Sequence, residues 1–266
     1  MGSEIMPYVM RTVIAGRTRE TKKMYTGRVH TKGAHREPNS EKTSEAQHKI
    51  NEAVAEEKLR WLLNANFVRG DFHTVLHYWV RPTLEQAEKD KSKFLRILRE
   101  HCHRSGIRWK FVACTETKHA PHHHIIMPQV DISTLQELWE RVVGTAGNVT
   151  VKPLDRRDNH GKLAHYLIKE TSKAVRRYRE AGLRYKRFTS ARGMERPEAK
   201  YKVVSASSWA KEPKNHKGWA LWQDDNGTTV KTGIHEVTGY AWQEYMEVWL
   251  GDDPPPGQKI RRRMIA

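Results

Sequence analysis

The sequence lacks what would place it in a membrane, in a disulfide framework or among nucleotide-driven motors. Two cysteines, Cys102 and Cys114, cannot staple a chain of 266 residues. No apolar run approaches the roughly 20 residues a membrane helix needs. The opening Met1-Gly2-Ser3-Glu4 has no apolar core of the signal-peptide kind. A soluble protein of a reducing cytoplasm, with no membrane partner, is the expectation. There is no Gly-x-x-x-x-Gly-Lys-Ser/Thr loop to cradle a nucleotide.

Acidic residues are also scarce. Asp and Glu number 31 against 48 Lys and Arg, a net charge of +17. Self-repulsion of that size opposes folding, and a polyanionic partner relieves it. The cations run through Arg176-Arg177-Tyr178-Arg179, Arg184-Tyr185-Lys186-Arg187 and Arg261-Arg262-Arg263, with aromatics interleaved in the first two. Cations that track phosphates beside rings that stack on unpaired bases suit a single strand. Composition therefore points to nucleic acid, but not to any chemistry performed on it.

Tyr8 to Ala15 reads as a strand, Gly27 to Asn39 as a loop, and Ser44 to Ala65 as a helix carrying Ile50, Val54, Leu59, Leu62 and Leu63 at helical spacing. Asp71 to Val80 is rich in β-formers. Thr83 with Gln86 forms a capping-box start to a helix through about Glu100. Ile107 to Thr115 and His122 to Met127 read as strands. Ser133 with Gln136 repeats the capping signature and opens a helix to Val143; Gly147 to Val151 is a strand. Asp158 is placed to cap a last helix, Gly161 to Glu180.

From residue 71 onward the order is β-α-β-β-α-β-α. Its first six elements match the split βαββαβ topology of ferredoxin-like sheets, an α+β fold with an antiparallel sheet and helices on one face. In that topology the first and third strands are central neighbours. The expected organisation is an N-terminal arm and helix (1–66), a core (67–182), a basic loop and small β unit (183–250) and a tail (251–266). In the β unit, Asp225-Asn226-Gly227 is a hairpin signal and Tyr240 to Leu250 a final strand.

Two features carry chemistry. On a strand, His122 and His124 share one face while His123 points away. Two imidazoles on a rigid strand make a two-toothed grip for a metal, and Glu116, before the turn, is the nearest carboxylate to add an oxygen. Two nitrogens and one oxygen leave positions open, which suits Mn²⁺ or Mg²⁺ on a substrate phosphate better than a closed zinc site. A solvated histidine cluster, or a zinc site using Cys102, Cys114 or His119, is the competing reading. The second feature is Tyr166 and Lys169, at i and i+3 on the last helix. A phenol attacking phosphorus needs help toward its phenolate, which a metal and an ammonium supply. Packing of Tyr166 on the core beside Leu163 and Leu167 is the plainer alternative.

Taken together, this order and spacing resemble the HUH endonucleases, and within them the single-tyrosine rolling-circle replication initiators. The family pattern is a strand bearing His-hydrophobic-His, then a helix with a nucleophilic tyrosine and a lysine three residues later. Asp71-Phe72-His73-Thr74-Val75-Leu76-His77-Tyr78 looks like the family's first motif, with His77 where a threonine is usual. His123 stands where an aliphatic residue is usual. Phe188-Thr189-Ser190-Ala191-Arg192-Gly193-Met194, with Pro197, is similar to a segment of plasmid- and filamentous-phage-class initiators.

The resemblance covers about 70–200. It implies a metal-dependent endonuclease that nicks single-stranded or hairpin origin DNA through a covalent 5′-phosphotyrosine. Tyr166 and Lys169 would be catalytic, Glu116, His122 and His124 metal-binding, and Arg176, Arg177, Arg187 and Arg192 DNA-binding. Without a nucleotide loop, unwinding falls to a host helicase, and extension of the free 3′ end to a host polymerase. A relaxase or single-tyrosine transposase shares the metal and nucleophile. A non-catalytic nucleic-acid-binding protein on the same topology shares the charge alone.

Overall fold

A computed structural model describes residues 8–26, 45–117, 120–155, 159–182, 185–205, 213–236 and 239–256. In chain order its elements are β1 (Tyr8–Ala15), β2 (Thr18–Tyr25), α1 (Glu45–Asn66), β3 (Phe72–Tyr78), α2 (Leu84–Arg104), β4 (Val112–Glu116) and β5 (His122–Met127). They continue with α3 (Ile132–Val143), β6 (Gly147–Pro153), α4 (Gly161–Glu180), β7 (Thr189–Ser190), β8 (Lys200–Val204), β9 (Trp219–Leu221), β10 (Val230–Ile234) and β11 (Ala241–Trp249). No helix among the described residues is long and apolar enough to cross a membrane.

The chain divides into two compact units, 45–195 and a second made of 1–44 with 196–266. The sequence pattern had put the divisions at 66 and 182. In unit 45–195 the sheet order is β6-β3-β5-β4-β7 and every pair is antiparallel. Strands β3 and β5 are central neighbours, consistent with a ferredoxin-like α+β fold.

The two helices of the βαββαβ core, α2 and α3, cover one face of this sheet as expected, and α1 and α4 cover the other. Phe72, Leu76, Ala113, Ile125 and Met127 pack with Phe94 and Leu98 of α2 and Leu135 and Trp139 of α3. On the other face Val112, Cys114 and Ile126 pack with Leu59 and Leu63 of α1 and Ala164, Leu167 and Ile168 of α4. The sequence cause is the unbroken apolar run Ile125-Ile126-Met127, fully buried in β5. A strand without polar alternation needs cover on both sides.

Local chemistry explains the element ends. Thr83 caps α2 by accepting from the Gln86 N–H at 3.1 Å, but the Gln86 side chain turns forward to Asp90 (2.7 Å) and does not complete the box. For α3 the cap is Asp131, which accepts from Thr134 N–H at 3.0 Å, two residues before the expected Ser133. Gln136 is used elsewhere: its amide bonds Gly147 O and Val149 N–H and pins β6 to the helix. Strand β4 begins at Val112, five residues later than expected. Ile107 N–H closes the end of α2 on Cys102 O, and Lys110 turns inward to Asp71 and Asn66 O. The expected cap Asp158 lies outside the described residues, as do the loop 27–39 and the tail from 257 onward.

The second unit is one six-stranded antiparallel sheet, β10-β11-β2-β1-β8 with β9 also on β11. The expected small C-terminal β unit is therefore built around the N-terminal hairpin, which fills its centre. Strand β2 (TRETKKMY) was hidden by its polarity, and pairing on both edges overrides its poor β-propensity. The two-residue loop Gly16-Arg17, with Gly16 at φ 57°, is the hairpin signal in the sequence. Strand β8 arises in a stretch expected to be loop. Asp225-Asn226-Gly227 does form a turn, Gly227 N–H to Asp224 O at 2.9 Å. It does not close a hairpin, because β9 and β10 each pair with β11.

Gly147 begins β6 where the Trp139 indole lies against the backbone. A Cβ there would sit 2.3 Å from Trp139 Nε1 and 2.6 Å from Val143 Cγ2. The ring cannot easily yield, since its N–H donates to His77 O at 3.0 Å. Gly147→Ala should destabilise the protein by about 1–3 kcal/mol. The expected readout is a lower urea midpoint at an unchanged slope.

Candidate metal centre and tyrosine

Strand alternation sorts the histidines. His122 and His124 lie on the face that carries Val112, Cys114 and Ile126, and α4 packs on that face. Register places Glu116 of β4 directly opposite His122. Its Oε2 is 3.1 Å from His122 Nε2 and 3.3 Å from His124 Nε2. One ligand atom from each of the three residues falls within 4.8 Å of the others, a group that could hold a metal ion.

The protons test that fit. His122 Nδ1 is 3.1 Å from Ala120 O, which can only accept, so Nδ1 carries the proton. In the neutral ring Nε2 then offers a lone pair toward a carboxylate oxygen. Two acceptors at that distance need a proton or a cation between them, and a divalent cation would satisfy all three donors together. The donor set of two imidazoles and one carboxylate fits such an ion and leaves positions for a substrate oxygen. No cysteine belongs to the group. Cys114 of β4 lies in the core under α4 and Cys102 of α2 in the opposite core, both buried, with burial pushing the thiols up to about 12 and about 11. His119 lies outside the described residues.

His123 faces the opposite core, fully buried. Its Nδ1 meets Thr115 Oγ1 and its Nε2 meets the Tyr78 hydroxyl, both at 3.1 Å. The same pocket holds Lys91, whose ammonium donates to Thr115 Oγ1 and Glu88. The histidine at the usual aliphatic position is thus a satisfied core group.

Helix α4 sets Ala164, Leu167, Ile168 and Thr171 into the core and leaves Tyr166 at the helix edge. The Tyr166 ring meets His124 edge-on, centroids 5.6 Å apart, and is 42% exposed. Its ring is thus held beside the cluster while part of the residue stays in solvent. Burial, then the charges of Glu116 and Glu170, raise its pKa. Lys169 is exposed one turn further along. The other tyrosines of the basic stretch are occupied: Tyr178 is fully buried and donates to Glu88, and Tyr185 donates to Thr115 O.

Among the expected DNA-binding residues, Arg177 and Arg192 are exposed. Arg187 is half-buried and bonds Ser172 at 2.6 Å and Glu52 at 3.4 Å, tying α4 to α1. The Arg176 side chain lies outside the described residues.

Three further residues surround the cluster: His73 and His77, which the sequence showed only as part of the first-motif segment, and Glu170, which it did not single out. His73 Nε2 is 3.0 Å from His124 Nδ1. The His77 ring stacks on His122, centroids 5.7 Å apart, and bonds Thr150 at 3.1 Å. Glu170 acts on both Tyr166 and His124 through its charge. The i, i+2, i+4 spacing of His73, Val75 and His77 put both histidines on one strand face, and Glu170 is one helical turn from Tyr166.

Burial holds several of these rings neutral. It lowers His73 and His124 to about 4, helped by neighbouring histidines, and His123 well below its usual value. Between pH 6.5 and about 4 the unfolded chain binds protons that the folded one refuses. Stability from this source is full above pH 6.5 and falls as the pH drops through that window. One pKa unit corresponds to about 1.4 kcal/mol, so the metal-free protein should show a clearly falling urea midpoint from pH 6.5 to 4.5. A flat midpoint across the window would mean that the rings are not held neutral.

Residues 72–175, from the start of β3 into α4, match a protein-family profile described as Replication-associated protein ORF2/G2P. Comparison with curated proteins and with solved structures finds no match. The matched segment contains Glu116, His122, His124 and Tyr166 in one stretch, and the similarity supports a replication-initiator role for this protein.

Proposed function

We propose that the protein initiates replication by nicking and rejoining single-stranded origin DNA, with Tyr166 as the nucleophile. The observation that carries this reading is the Glu116, His122 and His124 group with the Tyr166 ring against it. Glu116 Oε2, His122 Nε2 and His124 Nε2 would hold a divalent cation, Mn²⁺ or Mg²⁺. When bound, such an ion polarises a scissile phosphate and offsets the charge that develops on it.

The chain's own residues supply the rest. Tyr166 Oη forms a bond to phosphorus as the bond from phosphorus to the 3′ oxygen breaks, and its proton leaves to solvent. The 3′ oxygen departs as a hydroxyl after taking up a proton, while the 5′ phosphate stays on the tyrosine. Attack by a 3′-OH on that phosphotyrosine reverses the exchange and reseals a strand. Lys169, one turn along α4 from Tyr166, would offset with its ammonium the negative charge that develops. Exposed Thr150 and Lys152 on β6 lie across β3 from the cluster, on the sheet face that bears it, and offer a strand a way in. Arg176, Arg177 and Arg192 track the backbone, and Arg187 adds to the field while holding α4. The free 3′ end and the strand to be displaced would be handed to host polymerase and helicase.

Tyr166→Phe keeps the ring against His124 and removes only the reacting oxygen. Folding and DNA binding should persist, while metal-dependent nicking and the denaturation-resistant protein–DNA adduct both vanish. Lys169→Ala should slow cleavage without abolishing it. A non-catalytic DNA-binding protein would instead form no adduct in the wild type with Mn²⁺ and origin DNA.

Binding itself should weaken steeply with salt. For several phosphate contacts, affinity should drop by about a hundredfold or more between 50 and 200 mM salt in a fluorescence-anisotropy titration. A flat response would remove the basic residues from the interface.

A further inference from the structure

We propose that His73 is a positioning residue of the metal centre, accepting the Nδ1 proton of His124 and thereby aiming the His124 Nε2 lone pair at the cation. The inference rests on the metal reading above and adds a residue to it.

The argument is one of proton counting between two nitrogens. His73 Nε2 and His124 Nδ1 lie 3.0 Å apart, their ring planes tilted by 35°. At that separation one nitrogen carries a proton and the other a lone pair. If His73 donated, the neutral His124 ring would carry its remaining proton on Nε2, the atom facing Glu116 Oε2 at 3.3 Å. That ring could not be a ligand. A ligating His124 needs its proton on Nδ1, and a buried donor needs an acceptor. His73 Nε2 is placed to be that acceptor, with its own proton on Nδ1.

The two ligand histidines are thus steered by different means. His122 is oriented by a backbone carbonyl, Ala120 O, which no substitution of a side chain removes. His124 depends on a side chain of the neighbouring strand. Antiparallel register sets His73 opposite Ile126, two residues along β5 from His124 and on the same face. His124 is 4% exposed, so water does not readily replace a lost partner.

The test compares His73→Phe, which keeps a ring and removes the acceptor, with His73→Gln, which keeps an acceptor near the Nε2 position. Mn²⁺ affinity is read by titration of free Mn²⁺ in electron paramagnetic resonance, without DNA or turnover. His73→Phe should bind Mn²⁺ about 10- to 100-fold more weakly than wild type, and His73→Gln should recover most of the loss. Wild-type affinity in His73→Phe would overturn the role of His73 and leave the metal centre standing. A wild type that binds no Mn²⁺ would overturn both. Should His73→Phe fail to fold, the wild type alone decides: ¹⁵N shifts of the protein loaded with diamagnetic Zn²⁺ should show His124 protonated at Nδ1. A proton on His124 Nε2 in that spectrum would overturn the assignment.

Discussion

Three consecutive imidazoles on an interior strand put their ring nitrogens where water serves them poorly, and the surroundings of β5 are arranged to answer each one. On one side Thr115 and Tyr78 take the two nitrogens of His123. On the other, Ala120 O and His73 take the inner nitrogens of His122 and His124, and Glu116 faces the outer pair. Unpaired polar groups in this position would cost more than the sheet gains locally. The requirement reaches into β3 and β4 and fixes polar residues there at single positions.

That accounting also separates the two halves of the histidine strand by purpose. The pocket around His123 closes on itself, with Lys91, Glu88 and Thr115 mutually bonded. The cluster around His122 and His124 does not close, because its outer nitrogens and Glu116 Oε2 all point at one another. Tyr166 stands beside this point, its pKa raised by burial and then by the charges of Glu116 and Glu170. The three ligand atoms gathered there could hold one metal ion.

Much of this was legible from residue order. The 2-residue period of a strand was enough to set His123 apart from its neighbours, and the apolar spacing of α4 placed Tyr166 and Lys169 on one helix with core residues beneath. Helical spacing alone could not tell whether Tyr166 packs inward; the fold shows the ring against His124 and the residue partly exposed. The partner of His124 was hidden because it comes from across the sheet: His73 stood in the first-motif segment, but nothing in the residue order set it against His124. Strand β2 escaped for a related reason. Its residues are polar, and its place is set by β1 and β11 on either side. Apolar patterning finds surfaces that bury themselves, and it misses segments that are held by neighbours.

The sheet formed by both ends of the chain has a consequence for the order of events during synthesis. Strands β1 and β2 are made before residues 45–195, yet the free edge of β2 is paired by β11, whose residues 241–249 are made after them. The hairpin must therefore wait with that edge unpaired while residues 45–195, whose strands pair only among themselves, can already collect their core. A chain cut short before residue 241 would lose the partner of β2 and expose a polar, lysine-bearing edge. Charge on that edge disfavours pairing with other chains, so the composition that hid β2 in the sequence also protects it while it waits.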